Sequence, residues 1–315
     1  MKAGRIALVA CHWIGDTFWA SQVVPALRQR FPAAELYAIS QPHCLDLWEG
    51  LIAPDRRLAA GEVVSDRRRQ SVSWSAISDR AAAIKPIGFD LVIDLTGNRY
   101  SAWFTFLLRP GWSIGFDGNE LGALYSHRVA RAQRAGQHLM LRPFRVIEPL
   151  LGRFVPPKVP CPPKTAYSPA QIAADMGLTE RRYVVMAPGA GWPAKCWPAE
   201  KFSQVRQSLT QAGMSVVITG SSAQTPLAKT VAGDDARCRL FMGQPLGKVI
   251  ALLDASAGFV GNDSGSAHLS AAIGKPTAVI FTGATDPASC RPIGPPGCVR
   301  IFQSHAEVQD VAGMF

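Results

Sequence analysis

Four residues that can handle a phosphate fall together in "GFVGNDSGSAHLSAAIGKPTAVIFTGATDP" (258–287): Asp263, Ser264, Gly265 and His268. The apolar run before them reads as a strand, and the alanine-rich run after them as a helix starting near Ser266. A helix start presents backbone N–H groups without intrahelical partners and the positive end of the helix dipole. Gly265 lets a ligand approach the backbone, Ser264 adds a hydroxyl, and His268, one turn in, can reach back to the same spot. The assembly suits a phosphate or a pyrophosphate. Capping the helix and seating one core histidine is the plainer role, but a cap needs one polar residue and here there are three beside a glycine.

Two further stretches carry reactive side chains. In "APGAGWPAKCWPAEKF" (187–202), Pro188, Gly189 and Gly191 make a turn at a strand end. Lys195 sits just before the Trp197-Pro198 helix start, where it can approach a diphosphate; alternatively it is a surface lysine beside packing tryptophans. In "CHWIGDTFWA" (11–20), Asp16 opens the first helix, where the dipole favours its negative charge. That residue is either a cap or a general base for a hydroxyl proton. No Gly-x-Gly-x-x-Gly follows the first strand and no Gly-x-x-x-x-Gly-Lys-Ser/Thr loop occurs, so the main signals of nicotinamide dehydrogenases and P-loop enzymes are missing. Asp90 and Asp94, on either side of a strand, are not placed to form a simple metal-binding pair.

These residues need strand ends and helix starts to hold them. The first half reads as strands 5–11, 35–40 and 89–97 and a short one at 113–117, with helices over 17–31 and 99–109. The second half reads as strands at 182–191, 215–220, 238–243, 257–263 and 277–283. Helices over 198–213, 224–232, 246–256 and 265–274 separate them. The strands are continuously apolar, the mark of parallel sheets covered on both faces. Five prolines within 156–163 mark a linker. The expectation is an α/β protein of two tandem doubly wound Rossmann-like domains, 1–160 and 161–315, with ligands held in the cleft between them.

Composition sets the outer limits. The 315 residues are 48% hydrophobic and 18% charged, an ordinary globular balance. No apolar run approaches the ~20 residues of a membrane span. The seven cysteines show no Cys-x-x-Cys spacing, which argues against a disulfide framework or zinc site and for a reducing cytosol. The net charge of +10 is uneven: residues 1–165 hold 21 Lys/Arg and 13 Asp/Glu. Such an excess suits an anionic partner or serves solubility alone. The basic run at 66–70 reads as a solvated loop, and no nucleic-acid module is present.

The motifs also carry a family likeness. "NDSGSAHLSAAIGKPTAVIFTGATDP" (262–287) resembles the Asp-Ser-Gly-x-x-His-Leu…Gly-x-Pro-Thr…Thr-Asp-Pro signature of the heptosyltransferases, glycosyltransferase family 9. Residues 187–202, "IGDTFWASQVVPALRQRFP" (14–32) and "FDLVIDLTGNRYSAW" (89–103) are similar to three other segments of that family, in the same order. The resemblance implies a GT-B fold and inverting, metal-independent transfer from an ADP-heptose donor. It implies the lipopolysaccharide inner core or a similar glycolipid as acceptor, at the cytoplasmic membrane face, with peripheral contact to that membrane. Carried over by position, Asp16 is the base and Lys195 a ligand of the donor diphosphate. Gly189, Gln224, Met242, Asp263, Ser264, Gly265 and His268 complete the donor site; His12, Trp13 and Asp94 meet the acceptor. Gln224 stands where a glutamate is common, and "ACHW" (10–13) where Arg-x-Ser is usual. No metal or other cofactor is expected. A nucleotide-sugar epimerase of the same fold and a non-catalytic nucleotide- or glycolipid-binding protein are the alternatives.

Overall fold

Short apolar runs become the inner strands of two parallel sheets, and brief polar runs become some of their edges. The computed structural model describes residues 3–61, 73–118, 120–130, 137–152 and 154–315; the basic run at 66–70 lies outside them. The chain divides into two units, Met1–Pro157 and Lys158–Phe315.

Unit 1 opens with β1 (Arg5–Ala10), α1 (Ile14–Ser21), α2 (Val24–Arg30), β2 (Glu35–Ser40) and β3 (Arg57–Ala59). It continues with α3 (Trp74–Ile84), β4 (Leu91–Asp94), α4 (Arg99–Leu107), β5 (Trp112–Phe116), β6 (His127–Val129) and α5 (Arg142–Leu151). The strand order is β3-β2-β1-β4-β5-β6, all parallel. Along β1, Ile6, Leu8 and Ala10 enter one core with Val24, Leu27 and Phe144. Ala7 and Val9 enter another with Ile77, Ala81 and Phe104. Both faces of the strand are therefore covered, which is why it is apolar throughout.

Unit 2 begins with α6 (Pro169–Asp175), β7 (Tyr183–Ala187), α7 (Ala199–Gln211), β8 (Ser215–Gly220), α8 (Thr225–Ala232) and β9 (Cys238–Met242). Then come α9 (Leu246–Ala255), β10 (Gly258–Asn262), α10 (Gly265–Ile273), β11 (Thr277–Phe281), α11 (Pro287–Cys290), β12 (Val299–Gln303) and α12 (Val308–Ala312). Its order, β9-β8-β7-β10-β11-β12, repeats that of unit 1. In each unit the order reverses between the first and fourth strands, β1/β4 and β7/β10, where an open α/β sheet gathers ligands at its carboxyl edge.

Three details differ from the sequence reading. The helix expected over 17–31 is two helices, because Pro25 lacks an N–H and its ring clashes with the carbonyl four residues back. Asp16 is the third residue of α1 rather than its cap, a place taken by Trp13. Pro198 precedes α7 instead of lying in its first turn.

Candidate active site

In unit 2 the ends of β7 and β10 are tied together by one side chain. Asn262, the last residue of β10, is fully buried. Its Nδ2 donates to the Pro188 carbonyl at 2.7 Å, and its Oδ1 accepts from the Trp197 backbone N–H at 2.9 Å. The turn carrying Lys195 is thereby fastened to the start of α10, and Thr282 adds a hydroxyl bond to the Ala194 carbonyl at 2.6 Å.

Lys195 closes a short 3₁₀ turn over Pro193–Lys195 and points at Asp263, with Nζ to Oδ2 at 2.5 Å. The ammonium also lies 5.1 Å from the centre of the Trp192 ring, a cation–π distance. Asp263 is 5% exposed, and the same Oδ2 accepts from the Thr285 hydroxyl at 2.8 Å. His268 Nε2 stands 3.9 Å from the other oxygen. Asp263, expected as a donor ligand, thus turns one carboxylate oxygen onto protein partners and sets the position of Lys195. An ammonium has three N–H groups, so this bond leaves others for a ligand. Burial pushes the neighbouring Cys290 thiol up to about 11, which keeps it protonated.

The N-terminus of α10 is unusual for what it lacks. Ser264 occupies the cap with extended backbone angles but makes no capping bond, and the first turn contains no acidic residue. Its Oγ is buried without a hydrogen-bond partner among the described residues. A buried hydroxyl left unsatisfied costs roughly 1–3 kcal/mol, so its persistence at a helix start needs a reason.

The third part of the unit 2 site gathers at the ends of β7, β8 and β9. Gln224 closes a capping box, its Oε1 accepting from Ser221 N–H at 3.1 Å, and its Nε2 donates to the Ala190 carbonyl at 3.3 Å. Side-chain atoms at Gly189 or Gly220 would collide with this amide, and at Gly220 also with the Met242 methyl. The structure therefore brings Gly189, Gln224 and Met242 together, as expected. Asn262 and Thr285 were not singled out from sequence; the polar residue ending an apolar strand was the available signal for the first.

In unit 1, α1 is hung from β1 and β4. Thr17 is buried and donates to the His12 carbonyl at 3.2 Å. Thr96, after β4, accepts from Cys11 N–H at 2.9 Å and donates to the Val9 carbonyl at 3.2 Å. His12 Nε2 lies 3.3 Å from the Leu95 carbonyl. These contacts fix the turn from which His12, Trp13 and Asp16 project, all partly exposed. Burial pushes the adjacent Cys44 thiol up to about 12, so it is protonated beside Asp16 and no nucleophile.

Asp94 requires a correction. It is fully buried, so it does not meet an acceptor. One oxygen accepts from Thr96 and Gly97 N–H at 2.8 and 3.1 Å, the other from the Tyr125 hydroxyl at 2.5 Å. Burial raises its pKa against the opposing pull of these bonds. Its place is beneath the turn, holding Thr96. Among the described residues, no group of three or more His, Cys, Asp or Glu side chains is arranged to hold a metal ion. All seven cysteines are free thiols.

Known proteins share this architecture and sequence. The family model "Glycosyltransferase family 9 (heptosyltransferase)" matches residues 81–309. Lipopolysaccharide heptosyltransferase 3 of Escherichia coli (strain K12) is 26% identical over 302 residues, 88% of this chain and 82% of the relative. The solved structure of E. coli ADP-heptose lipopolysaccharide heptosyltransferase II superposes with a TM-score of 0.81 at 19% identity, covering 100% of this chain and 97% of that one. An E. coli heptosyltransferase solved with ADP gives 0.71 at 19% identity over 95% and 93%. The two parallel six-stranded α/β sheets are those of the GT-B fold, and the chain belongs to glycosyltransferase family 9, the heptosyltransferases.

Proposed function

We propose that the protein transfers a heptose from an ADP-activated donor to the lipopolysaccharide core or a closely similar glycolipid, with inversion and without a metal ion, on the cytoplasmic side of the membrane. Unit 2 holds the donor and unit 1 the acceptor. Relatives named as lipopolysaccharide heptosyltransferases and a neighbour solved with ADP support the substrate classes. The observation that carries the donor half is the buried, uncommitted Ser264 hydroxyl at the start of α10, with the Lys195 ammonium fixed by the neighbouring Asp263. A helix start, a hydroxyl and an ammonium together make an anion site for a diphosphate.

The chemistry is one displacement. The acceptor hydroxyl oxygen attacks the anomeric carbon as the bond from that carbon to the phosphate oxygen breaks, and the electron pair leaves with the nucleoside diphosphate. Charge growing on that leaving group is stabilised by Lys195, the first-turn N–H groups of α10 and Ser264, already oriented before the reaction. Asp16 takes the proton of the attacking hydroxyl. Attack from the side opposite the leaving group inverts the anomeric centre. Gly189, Gln224 and Met242 serve the nucleoside, and His12 and Trp13 border the acceptor.

Calorimetric titration with ADP, UDP and GDP, each with and without EDTA, tests the donor assignment. The expected result is selective ADP binding indifferent to EDTA. Binding of none of the three would overturn the anion site, and preference for UDP or GDP would overturn the choice of donor.

A further inference from the structure

Tyr125 lies outside the four family-like segments of the sequence, yet its hydroxyl donates to the buried Asp94 carboxylate at 2.5 Å. Its ring is 5% exposed and fills the place where a side chain at Gly115 would stand. The next residue holds it there: Ser126 and Ser113, the latter on β5, each accept the other's backbone N–H on the hydroxyl, at 3.1 and 3.0 Å. The Tyr125 hydroxyl is thus delivered to one spot by a strand rather than by a free loop.

From Asp94 the bonds run on to the turn that carries Asp16. The other carboxylate oxygen accepts from Thr96 and Gly97 N–H, which fixes Thr96. Thr96 Oγ1 then takes the Cys11 N–H and donates to the Val9 carbonyl, and the Leu95 carbonyl meets His12 Nε2. Cys11 and His12 lead into α1, where Thr17 donates to the His12 carbonyl beside Asp16. One carboxylate therefore locks together segments at 9–17, 94–97 and 125 that are far apart in sequence.

Covering a strand end does not require this. Burying a carboxylate is unfavourable, and an apolar side chain would fill the same space at less cost. Unit 2 supplies the comparison, because Asn262 ends β10 at the same place in the strand order as Asp94 ends β4. That neutral side chain fastens the turn of Lys195. In both units the polar residue ending the fourth strand ties down the turn that presents a reacting group, the cation in one and the base in the other. We propose that Asp94 and Tyr125 are positioning residues for sugar transfer, holding the turn at 11–16 so that the Asp16 carboxylate meets the attacking hydroxyl, and acting through hydrogen-bond geometry rather than charge. This role rests on the transferase reading above, with Asp16 as the base.

The test measures transfer from ADP-heptose to a lipopolysaccharide-core acceptor, ADP affinity and amide hydrogen exchange, all on the full chain. Tyr125→Phe keeps the ring beside Gly115 and removes only the hydroxyl. Asp94→Leu removes the tie, whereas Asp94→Asn keeps an oxygen for the two N–H groups and offers its own N–H to the Tyr125 oxygen. Tyr125→Phe and Asp94→Leu should lower kcat by about tenfold to a hundredfold, the effect of displacing a reacting group by up to about 1 Å, with ADP affinity unchanged. Exchange in peptides spanning 11–17 should speed up about tenfold, the size of one lost bond to a charged group, while peptides over 258–281 keep wild-type rates. Asp94→Asn should keep turnover and protection near the wild-type level. Wild-type kcat in Tyr125→Phe overturns the proposal, as does an Asp94→Asn as slow as Asp94→Leu, which would assign the effect to charge. Unchanged exchange at 11–17 overturns it too, and so does faster exchange spread evenly over both units, the mark of a structural role only. Should Asp94→Leu not fold, Tyr125→Phe against Asp94→Asn decides. A wild type that transfers no sugar overturns the transferase reading and this role with it, whereas failure of the role alone leaves the wild type active.

Discussion

Removing Lys195 should damage the protein twice, and the two injuries should be separable. In Lys195→Met the Asp263 carboxylate, 5% exposed, keeps, among the described residues, the Thr285 hydroxyl at 2.8 Å as its close hydrogen-bond donor, beside a long thiol contact and His268 Nε2 at 3.9 Å. Breaking a buried ion pair from one side costs roughly 3–5 kcal/mol. The Lys195 side chain is itself 19% exposed, so water reaches the gap and the lower end, about 3 kcal/mol, applies. For a unit of this size that corresponds to a fall of roughly 6–12 °C in unfolding midpoint. Lys195→Met/Asp263→Asn removes both charges, while the new amide oxygen still accepts from Thr285, so its deficit should shrink to about 1 kcal/mol. Transfer should not recover, because the cation opposite the leaving diphosphate is gone in both variants, at a loss of about 10²–10³-fold in rate. Scanning calorimetry supplies the midpoints and nucleoside diphosphate release the rates. A double variant no more stable than the single one would refute the claim that Asp263 exists to position Lys195. A double variant that regained transfer would refute the role of Lys195 itself.

Three other outcomes follow from the same geometry. Ser264→Ala should stabilise the unliganded protein by about 1–3 kcal/mol, since it removes a buried hydroxyl that has no partner among the described residues, yet weaken ADP binding about tenfold in titration; an unchanged affinity would remove Ser264 from the anion site. Asp16→Asn should keep ADP affinity and lower transfer by about 10²–10⁴-fold, and wild-type turnover would dismiss it as the base. Asp94, with its pKa raised by burial, holds its proton more tightly folded than unfolded, so its contribution to stability is full below the ordinary value of 3.8 and is lost as pH rises through the folded value. Asp94→Asn keeps an acceptor for the Thr96 and Gly97 N–H groups without ionising, and denaturation curves across that window should show wild type losing stability relative to the variant; parallel curves would exclude the burial effect.

The central strands were legible because both of their faces are covered. β2 and β8 occupy the residues their apolar runs mark, 35–40 and 215–220. The edges were not. β3 and β6 are three residues long with polar or half-exposed side chains, and β12 alternates in burial, so none presents a continuous apolar run. The phosphate-type residues at 263–268 stood out because they exceeded what a turn needs, but their division of labour did not. Asp263 and Ser264 are adjacent and both polar, yet one carboxylate oxygen of the first is bonded to two protein side chains while the hydroxyl of the second has no partner among the described residues. That distinction depends on Lys195 and Thr285, 68 and 22 residues from Asp263 in sequence. Asp94 misled for a related reason: a carboxylate ending a strand at the ligand-bearing edge looks reachable until Tyr125 covers it. Gly115 allows that cover, since a side chain there would strike the Tyr125 ring.

The two units also put one device to opposite uses. Each has a helix beginning at its topological switch point, α1 after β1 and α10 after β10, and neither helix has a side-chain cap. In α1 the first turn supplies its own anion, Asp16. The positive helix end there is already matched by a negative charge, so the turn suits a neutral hydroxyl that gives up a proton and disfavours a phosphate. In α10 the first turn has no acidic residue, and the nearest carboxylate, Asp263, is turned onto Lys195. The helix end, the Ser264 hydroxyl and the remaining N–H groups of Lys195 then all favour negative charge. A reaction in which one partner loses a proton while the other gains negative charge needs these two environments. The same strand order can supply both because the difference lies in whether the first turn holds a carboxylate, a matter of one residue in each helix.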